Sequence, residues 1–174
     1  ARVLDEASMP LLRVKAVQVV EQEAPVAEPL LVKRVLASCG IRRAGARLTE
    51  AVVRAVRESG IQATGTQERR VYWRKGDDPA AYTLYRSAQE GVARRDGKEI
   101  PTVECANAAC AALWGGGSLT ALQLARQAAY LMGYQRLGAT LENWILDGVE
   151  EAWQRGDLES EDGERFRLAP QKRQ

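Results

Sequence analysis

The nine residues Gly40-Ile-Arg-Arg-Ala-Gly-Ala-Arg-Leu48 recur as Gly133-Tyr-Gln-Arg-Leu-Gly-Ala-Thr-Leu141. A repeat of this kind makes the small module, not the chain, the unit whose fold and function must be read. The same offset keeps apolar positions in register on both sides of the box: Leu31 falls on Leu124, Cys39 on Met132, Val52 on Ile145 and Val56 on Val149. Apolar register that survives while the surface diverges is the mark of a duplicated core.

The chain has 174 residues, which the repeat divides into two modules of roughly 65 to 75 residues, each able to bury only a modest core. No apolar run is long enough to cross a bilayer, and no basic, apolar leader is present. A cytoplasmic location is the expectation, with no membrane partner. The first residue is not Met and residues 1–10 lack periodicity, so the chain reads as a piece of a longer polypeptide. Histidine is absent, which excludes histidine triads and histidine-containing zinc sites within the chain. Cys39, Cys105 and Cys110 show no CxxC spacing and read as small core side chains on helices.

Periodicity and punctuation predict the elements. Pro10, followed by Leu11, Leu12, Val14, Val17 and Val20, starts a helix that ends near Glu23. Pro25-Val26-Ala27 is a short extended piece, and a second helix runs from Glu28 to Cys39 before Gly40. Arg43 to Ser59 is an amphipathic third helix closed by Gly60. Ile61–Thr64 and Arg69–Arg74 then form two strands around a polar tip. The second copy repeats this course: helices over 103–114, 120–132 and 137–155, an extended Ser118-Leu119, and a hairpin from Asp157-Leu158-Glu159 to Arg165-Phe166-Arg167-Leu168. The fold class expected is mainly α with short β wings, a tandem winged helix-turn-helix repeat. Residues 1–76 form the first module, 77–98 a linker and 99–174 the second. In the linker, Asp78-Pro79 predicts a short helix through Tyr85, and Gly91 and Asp96-Gly97 are turn signals.

Glu23, Pro25, the Gly40, Arg43, Ala44, Gly45 turn, Trp73 in an aromatic closing strand, and Ile100-Pro101 together resemble a bacterial family. It is the winged-helix domain of unknown function at the C-terminal end of large superfamily-one helicase proteins, usually after a Vsr-like restriction-endonuclease-like domain. The resemblance extends over nearly the whole chain and includes no catalytic residue. It implies an accessory module whose helicase and nuclease chemistry lies elsewhere, with docking to those domains of the parent protein as a partner interaction.

The surface of the first module points to nucleic acid. Wound at about 100° per residue, the third helix gathers Arg43, Arg47, Arg54 and Arg57 on one side and places Leu48, Val52 and Val56 opposite. In a helix-turn-helix this helix faces the major groove, where guanidinium groups suit phosphates and guanine edges. Arg42 in the turn and Arg69 and Arg70 in the wing extend the set, so the expected nucleic-acid-binding residues are Arg42, Arg43, Arg47, Arg54, Arg57, Arg69 and Arg70, with DNA the favoured ligand. From Pro25 to Arg74 there are ten Lys/Arg against four Asp/Glu. From Ser118 to Leu168 there are five against nine, and the second stripe reads Arg136, Thr140, Asn143, Asp147 and Glu150. That face should repel phosphate. The competing reading is a winged helix that docks on protein or oligomerises without touching nucleic acid. Trp114, Trp144 and Trp153 fall among apolar residues at helical spacing and read as packing residues.

Enzyme readings fare poorly. Asp78 with Asp96-Gly97-Lys98 meets a loose acidic-x-Lys nuclease pattern, in which carboxylates hold magnesium. Ala93-Arg94-Arg95 stand where that pattern needs an apolar strand. Gly91 with Gly97-Lys98 has the wrong spacing for a phosphate loop, and Glu99 replaces its Ser or Thr. No catalytic residue, metal or cofactor is expected. The function expected is an accessory nucleic-acid-binding module of a larger helicase- or nuclease-type protein.

Overall fold

The computed structural model describes residues 8–88 and 94–172, and the chain forms two compact units, Ala1–Ala80 and Ala81–Gln174. In the first, α1 (Met9–Glu23) leads through β1 (Val26–Ala27) directly into α2 (Glu28–Ser38). After a turn come α3 (Ala46–Arg57), β2 (Ala63–Thr64) and β3 (Val71–Tyr72). The strands form an antiparallel sheet in the order β1-β3-β2, with Tyr72 opposite both Val26 and Ala63. Leu12, Ala16 and Val20 recur every fourth residue on α1, so they line one face. They are buried with Leu31 and Val35 of α2, Val52, Ala55 and Val56 of α3, and Tyr72. Leu48, expected in the core, is only half-buried at its edge, because it sits in the first turn of α3.

The second unit repeats the order: α4 (Thr102–Ala112), β4 (Ser118–Thr120), α5 (Ala121–Leu131), α6 (Ala139–Gln154), β5 (Leu158–Glu159) and β6 (Arg165–Leu168). Its sheet order is β4-β6-β5, again antiparallel, with Phe166 opposite Leu119. Leu124, Met132, Ile145 and Val149 are all buried in its core, as the apolar register requires.

The repeated nine-residue box is a helix stop followed by a helix start. Gly40 takes the left-handed conformation (φ 76°); its amide donates to the Ala37 carbonyl and that of Ile41 to Leu36. Gly133 (φ 91°) repeats this, with bonds from Gly133 to Tyr130 and Tyr134 to Ala129. Only glycine adopts this backbone without a Cβ penalty, and the paired bonds satisfy carbonyls that the helix end would orphan. Gly45 and Gly138 then cap α3 and α6, accepting from Thr49 and Glu142.

Three expectations change. The third helix begins at Ala46, not Arg43, because Gly45 is already extended at the cap (ψ 170°). Of the expected strand Arg69–Arg74 only Val71–Tyr72 is strand, and Gln67–Arg69 forms a 3-10 turn. Gly65 (φ 85°) makes this fold-back possible, since a Cβ there would collide with the Arg69 carbonyl. Of the expected linker 77–98, the described residues from Ala81 on belong to the second unit. The helix starting at Asp78-Pro79 stops after one 3-10 turn, Pro79–Ala81. The segment that follows then lies on α4, where Asn107 Nδ2 donates to the carbonyls of Tyr82 (3.1 Å) and Leu84 (2.8 Å). The Arg86 amide donates to Glu104 (2.7 Å), and that of Ala88 to the Met132 carbonyl (2.9 Å). Polar side chains on an otherwise buried helix need partners, and this segment supplies them. The Gly91 turn signal, Ala93 and residues 1–7 lie outside the described residues.

Gly148, in the middle of α6, faces α4 so closely that a Cβ would collide with that of Cys105 and meet the Ala106 nitrogen at 2.9 Å. Helix propensity alone favours alanine by about 1 kcal/mol. Overpacking between two helices reverses the sign, so Gly148→Ala should destabilise the second unit by about 1–3 kcal/mol in urea unfolding. Gly115→Ala, with nothing within 4 Å of its Cβ, should change stability by under about 0.5 kcal/mol.

Candidate nucleic-acid interface

The turn between α2 and α3 carries Arg42 and Arg43, and α3 carries Arg47 in its first turn and Arg54 two turns on, all four exposed. Among the described residues nothing pairs with Arg42, Arg43 or Arg47. Arg47 and Arg54 are about 10 Å apart along the helix at 1.5 Å per residue, on nearly the same line. Val52 and Val56 are buried on the opposite side, so the amphipathic division expected of this helix is present. Glu50 is also exposed. At about 60° from Arg47 on a helical wheel, it puts one carboxylate beside the stripe that the reading of arginines alone overlooked.

The other three arginines are placed differently. Glu28 opens α2 and is buried. Its carboxylate accepts from Arg57 (3.0 and 3.4 Å) and from the Tyr72 hydroxyl (2.6 Å), and Arg70 Nε stands 3.9 Å away. A carboxylate removed from water needs such neighbours, and one cluster thereby ties α2, α3 and β3 together. Arg57, which remains exposed, and the half-buried Arg70 both face this carboxylate. Arg69 closes the 3-10 turn between β2 and β3 and is half-buried. Arg74 donates to the Glu21 carbonyl at 2.7 Å. The outward basic surface is therefore centred on Arg42, Arg43, Arg47 and Arg54, with the exposed but ion-paired Arg57 at the end of α3. Helical spacing could not reveal the Glu28 cluster, because its members are brought together from three separate segments.

The hydrogen bond and charge of Glu28 raise Arg57 above its ordinary range. Burial, then the bond to Glu28, pushes the Tyr72 hydroxyl well above its usual value.

The second unit offers the opposite surface. Arg136, Thr140, Asn143, Asp147 and Glu150 are all exposed at the corresponding positions. Arg167 in the wing pairs with Glu159 and Glu161 at 3.2 Å, and Arg165 bonds to the Ser118 hydroxyl and carbonyl. The residues that matched nuclease and phosphate-loop patterns have local duties. Asp96 and Glu99 form a reciprocal cap on Gly97–Glu99, and Asp78 accepts from the Ala80 amide. Burial, with Asp157 nearby, pushes the Cys110 thiol up to about 11, leaving it protonated at neutral pH. Trp144 packs half-buried and donates to the Ile100 carbonyl (2.8 Å). Trp153 meets Phe166 edge-on but is 36% exposed. Trp114, expected to be packed, is 65% exposed because α4 ends at Ala112 and leaves it on the following turn.

Residues 1–50 match a family described as "Protein of unknown function (DUF3320)". The match takes in α1, β1, α2 and the start of α3, a shorter span than the nearly whole-chain resemblance expected. Trp73 and Ile100-Pro101 lie outside it. No curated protein and no solved structure matches the chain. Among the described residues, no helix is long and apolar enough to cross a membrane.

Tyr72→Phe should cost about 1.5–3 kcal/mol, the range for a hydrogen bond to a charged group. The pH dependence follows from a tyrosine pKa raised by folding: its contribution is fully present below the unfolded value near 10 and is lost as pH rises through the higher folded value. The stability gap between wild type and Tyr72→Phe should hold steady from pH 7 to about 9 and shrink above about 10, read by urea unfolding at each pH. A gap independent of pH would show that the hydroxyl is not the titrating group.

Proposed function

We propose that the chain is a tandem pair of winged-helix modules that helps a larger bacterial helicase- or nuclease-type protein engage nucleic acid, with DNA the favoured ligand. The carrying observation is the group of exposed arginines, Arg42, Arg43, Arg47 and Arg54, on one turn and one helix face. In a helix-turn-helix, these positions are the ones presented to the groove and the flanking phosphates. The element order and three-stranded sheets of the two units suit that reading. The match of residues 1–50 to a domain of unknown function is compatible with an accessory role, and the chemistry is assigned to other domains of the parent protein.

The second unit serves a different purpose. Asp147 and Glu150 stand where the first unit has Arg54 and Arg57, and carboxylates there oppose the counterion release that drives phosphate binding. This acidic face favours docking on a basic patch of the parent protein, which is the second reading for the chain as a whole.

Anisotropy titrations of the full chain with a labelled duplex and a labelled single strand test the proposal. Arg47→Glu with Arg54→Glu should weaken binding at least tenfold at about 50 mM salt, and the logarithmic salt slope should become shallower by roughly 0.9 for each phosphate no longer neutralised. Unfolding curves should be unchanged, because neither side chain belongs to the core. Asp147→Ala with Glu150→Ala should weaken binding to neither strand. Absence of wild-type binding to both probes at low salt would favour the docking reading.

A further inference from the structure

The acidic character of the second unit is confined to part of it. All nine carboxylates within 118–168 lie from Glu142 onward, whereas 121–141 holds Arg126 and Arg136 and no Asp or Glu. That stretch is α5 with the turn into α6. An open cavity of about 490 Å³ lies there, lined in part by Arg126, Gln127, Tyr130, Tyr134, Gln135 and Arg136. Its volume is within the roughly 300–1,000 Å³ of small-ligand sites, and no described carboxylate lines it.

The fold fixes one wall of this cavity and leaves its polar groups free. Arg126 and Tyr130 are four residues apart on α5, so their side chains share a face. Gly133 ends the helix in the left-handed conformation (φ 91°) and turns the chain so that Gln135 and Arg136 line the same cavity. The Tyr134 ring is held by its hydroxyl, which donates to the Arg95 carbonyl (2.6 Å). By contrast, Arg126, Gln127, Tyr130, Gln135 and Arg136 are all exposed, and among the described residues nothing pairs with their side chains. Tyr130, at 71%, is the most exposed large apolar side chain described.

Each of these groups answers to one part of a nucleotide. A guanidinium with no carboxylate partner takes a phosphate through paired, charge-assisted hydrogen bonds. An open tyrosine ring offers its face to a base, and a primary amide both donates to and accepts from a base edge. A base stacked in this way must be unpaired. Asp147 and Glu150 on α6 also oppose the second backbone that a duplex would bring.

We infer that α5 and the α5–α6 turn bind one nucleotide of a single strand, with its base stacked on Tyr130 and its phosphate held by Arg126 and Arg136. The inference rests on the nucleic-acid reading above and adds a contact of a different kind. Both units keep the turn arginine, Arg43 and Arg136, but Ala37 stands in the first unit where the second has Tyr130. The first unit thus offers charge at this place without a stacking ring.

Anisotropy titrations of the full chain with a labelled oligothymidylate and a labelled duplex of the same length test the site. Tyr130→Ala should weaken oligothymidylate binding about fivefold or more, the loss of one stacked base, and leave duplex binding unchanged. Tyr130→Phe should bind as the wild type does, because the ring and not the hydroxyl is used. Arg126→Gln with Arg136→Gln should make the logarithmic salt slope for oligothymidylate shallower by roughly 0.7 for each phosphate no longer neutralised. Unfolding curves of these variants should match the wild type, since the side chains lie outside the core. A Tyr130→Ala chain that holds oligothymidylate as tightly as the wild type, or a wild type that binds the duplex alone, overturns this site and leaves the proposed function standing. A wild type that binds neither probe removes both.

Discussion

A carboxylate taken out of water must be matched by donors that also come out of water, and two such groups organise this chain. Glu28 sits at the start of α2 and gathers Arg57 from α3, Tyr72 from β3 and Arg70 from the edge of the wing. The bundle and the sheet of the first unit are joined through it. Glu104 does the corresponding work in the second unit from a different place. It lies fully buried on α4 and holds Arg95 and the Arg86 amide, fastening the segment before α4 to the helix. Buried ion pairs of this kind add little net stability over an apolar core, but removing one partner is costly. Their effect is to specify which segment packs where.

The two units show how one backbone plan carries two surfaces. Both retain the left-handed glycine after the second helix, the glycine cap before the third, and apolar residues at the inward positions. The surface-determining residues change together. Where the first unit has Glu28, Arg57 and Tyr72, the second has Ala121, Glu150 and Phe166. Once the buried carboxylate is gone, the arginine has no anchor and the tyrosine hydroxyl no acceptor. An apolar phenylalanine and an exposed glutamate are compatible with the same fold. At this one position, Arg57 against Glu150, the charge reversal on the third helix accompanies a change in the residue beneath it.

A similar exchange distinguishes the first helices. On α4, Glu104 and Asn107 are covered by the unit's own preceding segment. On α1, the equivalent residues are Leu11 and Val14, both exposed. Amide and carboxylate groups accept an irregular backbone laid over them, because they bond the peptide groups it buries, whereas bare methyl groups offer no such bonds.

Much of this was determined by the sequence alone. The repeated element order, the six α-helices of the described residues, the short strands and the glycine stops follow from periodicity and from backbone conformations that glycine alone adopts readily, which are properties of neighbouring residues. The outward position of Arg47 and Arg54 was legible for the same reason, since helical spacing against Val52 and Val56 fixes a face. Tertiary structure decided the rest. It paired Arg57 and Arg70 with the buried Glu28, turned residues 81–88 from a linker into a covering segment, and left Trp114 in solvent. The first two of those outcomes depend on groups far apart in the chain meeting in space, where the requirement to pair a buried charge or peptide group outweighs any local preference.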